Sequence, residues 1–236
     1  MGHQIRSYHD STFRNLQPSE NIWGEKTLER ELAYLISSKT FENIYEFPYV
    51  YFISGITEGI NYFANKHKII KHPNEYRYLN LFLNVSNKSG DIAYQSYPFS
   101  GDGRFHSIRT DKPVILDCAY MFASNMQNEK VLPSNVDTVM FSLSKSHNLS
   151  DYRIAWMFSK NKIPEYHVLQ YDNNYSINSY VLSALKTIND RPLNYLYTKY
   201  KEQFSNLYSL KNLTENDVNL FALDNKNNRL PFYILE

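Results

Sequence analysis

Lys145 stands two residues after the apolar run 138–143 (TVMFSL), within Ser142-Leu143-Ser144-Lys145, and Arg153 and Trp156 stand a short distance downstream. A loop lysine is ordinarily a solvated charge. An amine whose pKa is lowered by burial or by nearby cations instead becomes a nucleophile that can exchange one imine for another. Arg153 carries a planar fork suited to a phosphate dianion. Earlier, Ser54-Gly55-Ile56-Thr57-Glu58-Gly59 follows the run 49–53 (YVYFI) and leads into a helical pattern over 58–65. A strand, a tight turn and a helix place backbone N–H groups where they bind phosphate, and Gly55 permits close approach. Two further stretches carry polar groups at turns. Asp117-Cys118-Ala119-Tyr120 follows PVIL, where the aspartate alone reads as a cap, and Asn84-Val85-Ser86-Asn87-Lys88-Ser89-Gly90 reads as an ordinary turn.

These residues need elements to hold them. The stretch 27–38 (TLERELAYLISS) has Leu28, Leu32, Leu35 and Ile36 at helical spacing, with Glu29 and Glu31 in its first turn. Strands are expected over 49–53, 78–85 (YLNLFLNV), 113–116 (PVIL), 138–143 and 154–158 (IAWMF). Near-continuous apolar strands separated by helices and loops imply a sheet covered on both faces, with functional residues at the strands' C-terminal ends. Beyond Pro164 helical patterns occupy 179–188 and 193–210, and two strand-like runs, 218–223 and 230–235, flank a polar turn.

Together these stretches resemble fold-type I pyridoxal-phosphate (PLP) enzymes of the aspartate aminotransferase superfamily. The resemblance covers about residues 27–160 and is nearest the alliinase and tryptophan-aminotransferase branch, where Ser-Lys is followed by a His-containing stretch and Arg-x-Gly-Trp; here Ser144-Lys145-Ser146-His147 leads to Arg153-Ile154-Ala155-Trp156. It implies a three-layer α/β sandwich with a mostly parallel sheet and a reduced C-terminal α+β lobe. The implied division is an arm over 1–26, a PLP-binding large domain over 27–165 and a small domain over 166–236. It implies Lys145 as the Schiff-base lysine, with Gly55, Ile56, Thr57, Ser142, Ser144 and Arg153 around the phosphate. By the same resemblance, Asp117 is expected to pair with the pyridinium nitrogen and Tyr120 and Asn87 to bind the phenolic oxygen of a pyridoxal 5'-phosphate cofactor. A homodimer and an amino-acid or amine substrate follow from the same resemblance.

The chain departs from that pattern. It goes almost directly from the loop at Thr57 to Asn87, and no motif marks the aromatic residue that stacks on the ring; Tyr62, Phe63, His67, His72 and Tyr76 are the candidates. Arg229, in Arg229-Leu230-Pro231-Phe232, is the one spot comparable with the substrate-carboxylate arginine. Three activities fit the resemblance: an aminotransferase, a lyase that expels a β-substituent, and a binding protein that has lost catalysis. The first is the expectation.

Composition narrows the alternatives. The chain has 236 residues, is 42% hydrophobic and 16% aromatic, and balances 25 Lys and Arg against 24 Asp and Glu. It can build a sizeable core, and a net charge of +1 supplies no surplus to hold nucleic acid. Its one cysteine, Cys118, excludes an internal disulfide framework and a zinc ribbon. With no apolar signal segment at Met1-Gly2-His3 and no run of membrane-spanning length, a cytoplasmic protein is expected. His3, His9, His106 and His167 lack metal-ligand spacing.

Overall fold

Alternation along the strands decides the architecture of the computed structural model, which describes residues 12–13, 15–19 and 23–231. In Tyr49–Ile53 (β1), Val50 and Phe52 join one hydrophobic cluster while Tyr51 and Ile53 join another. Side chains on a strand alternate between faces, so burial of both sets requires a layer on each side. Ala155–Ser159 (β7) divides the same way, with Trp156 and Phe158 on one face and Ala155 and Met157 on the other.

Helix α1 (Trp23–Ser38) covers the first face together with Val181–Asn189 (α4) and Tyr195–Lys211 (α5). Trp156 lies buried there, its indole N–H donating to Ser37 Oγ at 3.0 Å and its ring stacked at 5.7 Å on Phe141. The second face is covered by Ile56–Lys66 (α2), whose Ile56, Ile60, Phe63 and Ala64 recur at helical spacing, and by the short Pro164–His167 (α3), which continues as a π-helical turn, Val168–Asp172. Gly59 lets α2 approach closely: a Cβ there would sit 2.5 Å from Met140 Sδ.

The remaining strands are Ile69–Lys71 (β2), Val85–Ser86 (β3), Ile92–Ser96 (β4), Val114–Cys118 (β5) and Val136–Ser142 (β6). Seven strands run in the order β1-β7-β6-β5-β4-β2-β3; β7 is antiparallel to both neighbours and every other pairing is parallel. This is the expected three-layer sandwich. It brings the C-terminal ends of β1, β4, β5 and β6 to one edge.

The outer side of β1 is closed by side chains. Phe52 N–H donates to Gln170 Oε1 at 2.9 Å while Gln170 Nε2 donates to Phe52 O at 2.8 Å, and the Tyr171 hydroxyl lies 3.2 Å from both Val50 N and Val50 O. These two residues take the place of a further strand.

Two expectations change. Residues 78–85 do not form a strand: Arg77–Leu81 is a 3₁₀ helix, and only Val85–Ser86 pairs, at the sheet edge. Leu81 and Leu83 are exposed, with no layer among the described residues to pack against, so an apolar alternation alone does not make a strand here. The strand beside β5 is β4. At the C-terminal end, Phe221–Leu223 (β8) pairs with Arg229–Pro231 (β9), shorter than expected, and 232–235 lie outside the described residues, as does most of the expected arm. Among the described residues no helix is long and apolar enough to cross a membrane, and no group of three His, Cys, Asp or Glu is placed to hold a metal.

Candidate active site

β1 ends at Ile53, and the chain turns at Gly55, with φ +113 and ψ 155, to start α2 at Ile56. That backbone is open to glycine and little else. It also leaves room for Arg153: a Cβ on Gly55 would lie 2.1 Å from Arg153 Nη2. Arg153, itself at φ 55, donates from Nε to Ser54 O at 3.0 Å and from Nη1 to Ser150 O at 3.4 Å. These bonds fix the guanidinium over the turn with Nη2 beside Gly55. Ser54 is held in turn by Glu58, whose Oε2 accepts from Ser54 N and Oγ at 2.7 Å each, while Tyr166 donates to Glu58 Oε1 at 2.8 Å. The N–H groups of Ile56 and Thr57, in the first turn of α2, have no acceptor within the helix.

β6 delivers Ser142 to the same edge, and Lys145 follows three residues later. Ser142 Oγ accepts from Ser144 N at 3.2 Å, and the buried Ser144 Oγ has no hydrogen-bond partner among the described residues. Lys145 is half-buried. Burial is the main cause that lowers its pKa below the usual lysine range, and the charges of Arg153 and Arg229 push the same way. Arg229, at the start of β9, donates to Tyr120 Oη at 3.3 Å and lies with its guanidinium 4.1 Å from the centre of the Phe221 ring. The structure therefore brings Arg229, distant in sequence, into one electrostatic neighbourhood with Lys145 and Arg153.

β5 delivers Asp117. Burial pushes this carboxyl up to about 6, against two hydrogen bonds that favour its charged form: one from the Tyr94 hydroxyl to Oδ2, the other from Ala119 N to Oδ1 at 2.8 Å. Glu75, in the loop after β2, adds repulsion. Glu75 is buried and accepts from Ser96 N at 3.0 Å, from Ser96 Oγ, from Ser100 Oγ at 2.6 Å and from Tyr76 N at 2.8 Å. Tyr76 is raised above the usual phenol range by burial first and then by the charges of Tyr120 and Asp117. It is the one of the five aromatic candidates tied to Asp117 and Tyr120; Phe63 is in the core, and His72 packs edge-on against Phe99.

The structure does not bring Asn87 to this place. It is exposed in the turn after β3, and β4 and β2 stand between β3 and Asp117's strand. At roughly 4.8 Å per strand spacing, Asn87 is on the order of 14 Å away from β5. The strand beside β5 is instead β4, which ends at Ser96. Tyr94 and Glu75 had no signal in the sequence beyond their types. His106 pairs with Asp102 at 2.8 Å in an exposed loop, and His3 and His9 lie outside the described residues.

The sequence matches no family model and no curated protein. Solved structures do match. One is the PLP-bound C-S lyase from Staphylococcus hominis, at TM-score 0.66 and 12% identity over 89% of this chain and 68% of that one. An alanine aminotransferase from Pyrococcus furiosus gives 0.61 and 14% over 88% and 73%. The L-threonine-O-3-phosphate decarboxylase from Porphyromonas gingivalis gives 0.57 and 12% over 90% and 77%. The chain has the fold of these fold-type I enzymes.

Proposed function

We propose that the chain is a PLP-dependent enzyme acting on the α-carbon of an amino acid or related amine, with Lys145 holding the cofactor covalently. The observation that carries this reading is the convergence of Lys145, Arg153, Asp117 and Tyr120 at one sheet edge of this fold. Bound PLP supplies an electron sink for negative charge developing at the substrate's α-carbon.

The residues fit that group. The turn at Gly55, the N–H groups of Ile56 and Thr57, the Arg153 guanidinium and the partnerless Ser144 hydroxyl suit a phosphate, with Ser142 holding the Ser144 backbone. Asp117 is a dehydrated carboxyl with no ion pair among the described residues, and a pyridinium nitrogen would relieve the cost of its charge. Tyr120 Oη, already next to Arg229, suits the phenolic oxygen. A lysine amine depressed by burial and two guanidiniums is more readily uncharged, so Lys145 can attack a carbonyl and, once released, take a proton from the α-carbon. Arg229 offers a fork for the substrate's carboxylate.

The finer reading is transamination, in which Lys145 would both take up and redeliver the proton while bound PLP supplied the electron sink. The C-S lyase among the matching structures supports an alternative: Lys145 takes the same proton and a β-substituent leaves. The reading also carries a homodimer, as the resemblance implies. Borohydride reduction of the PLP-loaded protein, followed by mass spectrometry, should place the cofactor on Lys145, and Lys145→Ala should carry none. Attachment elsewhere, or no attachment, would overturn the proposal. Amino acids supplied without a keto-acid acceptor separate the two reactions: keto acid plus ammonia marks elimination, and turnover that requires the acceptor marks transamination.

A further inference from the structure

We propose that Tyr94 is a positioning residue of this site that acts through Asp117, its hydroxyl holding that carboxyl in one rotation and one charge state. The inference rests on the cofactor reading above and deepens it.

Tyr94 is buried on β4, on the same sheet face as Ile115, its partner across the strand pair. Its hydroxyl donates to Asp117 Oδ2 while Ala119 N donates to Oδ1. One donor on each oxygen fixes the carboxyl's rotation, and each oxygen keeps a second lone pair for a ligand. The phenol remains a donor because burial, and then the negative charge of Asp117, hold its proton well above the usual phenol range.

The other groups around Asp117 make this donor matter. Glu75 and Tyr76 approach from the loop after β2, and Tyr120 from the segment after β5. Cys118, next in the strand, joins the opposite cluster, and the residue paired on β6 is the neutral Met140. Glu75 opposes the charge on Asp117 and no cation offsets it among the causes of its shift. Two hydrogen bonds are therefore what favours a charged Asp117 before any ligand arrives, and Tyr94 makes one of them. Tyr94→Phe keeps the ring in the core and removes only that donor.

Titration of PLP into wild-type and Tyr94→Phe apoprotein between pH 5.5 and 8.5, followed by tryptophan fluorescence, tests this. The ratio of the two dissociation constants cancels the ligand's own ionisation. If the lost bond raises Asp117 by about one unit, the variant should bind about tenfold more weakly at pH 5.5 and nearly as well as wild type at pH 8.5. A ratio independent of pH would mean that Tyr94 serves packing alone and would overturn the proposal. A wild-type protein that does not bind PLP would overturn the cofactor reading instead.

A ligand-free measurement tests the same inference separately. Without its donor, folded Asp117 holds its proton more tightly, so Tyr94→Phe should lose stability relative to wild type as pH rises across that range. In an Asp117→Asn background the dependence on pH should disappear. A stability difference that does not change with pH, or a variant unfolded even at pH 5.5, would overturn the proposal.

Discussion

Gly55 and Arg153 depend on each other. The turn has a backbone that only glycine takes easily, and the space a Cβ would fill is occupied by a guanidinium. Gly55→Ala should cost on the order of 1–3 kcal/mol from backbone strain and should also displace Arg153. Denaturant unfolding and PLP titration together check this: both stability and affinity should fall, whereas Thr57→Ala, at a half-buried position two residues on, should leave stability nearly unchanged. His147 makes a different residue-scale prediction. It is buried beside Phe13 and Phe122, bonded at 2.7 Å to Ser146 Oγ, and burial lowers its pKa from 6.5 to about 3. The unfolded chain takes up a proton near pH 6.5 and the folded chain does not. The stability held by a neutral His147 is thus complete above pH 6.5 and is lost as pH falls toward 3. His147→Gln should flatten the fall in unfolding free energy over that range relative to wild type, and an unchanged slope would contradict it.

At the scale of elements, the side chains that close β1 are open to test. Gln170→Ala removes both hydrogen bonds to Phe52 and leaves buried backbone groups without partners, at about 1–3 kcal/mol for each group left unsatisfied. Chemical denaturation should show that loss, and light scattering should show increased self-association through the bared strand edge. Element legibility in the sequence followed burial. β1, β5, β6 and β7 are near-continuous apolar runs because both faces are covered, and they were readable at once. β2 is three residues long and β4 mixes Ala and Gln with its apolar positions, so neither stood out. The run 78–85 looked more like a strand than either, although Leu81 and Leu83 have nothing to cover them. The misplacement of Asn87 follows from that one substitution of strands. Lys145, Arg153, Asp117 and Tyr120 were legible because their spacing is local. Tyr94, Glu75 and Tyr76 were not, because they reach Asp117 only through the order in which the strands lie side by side.

At the scale of the whole molecule, the last described segment is part of the centre of the protein. Phe221 is fully buried in the same cluster as Val114, Phe141 and Trp156, stacks under Arg229 and meets Tyr120 edge-on at 6.0 Å. Phe221→Ala should cost about 3–5 kcal/mol and should loosen Arg229. A thermal melt reports the first effect; a rise in KM for amino-acid substrates larger than for simple amines reports the second. The chain achieves this with 236 residues, spanning 68% to 77% of the three matching structures described above. The closed β1 edge also bears on assembly. One flank of the sheet is sealed by Gln170 and Tyr171, and the strand at the other flank, β3, has two residues. Neither offers a ladder long enough to zip onto another sheet. Among the described residues, extending this seven-stranded sheet sideways into a fibre is therefore not open to the native protein.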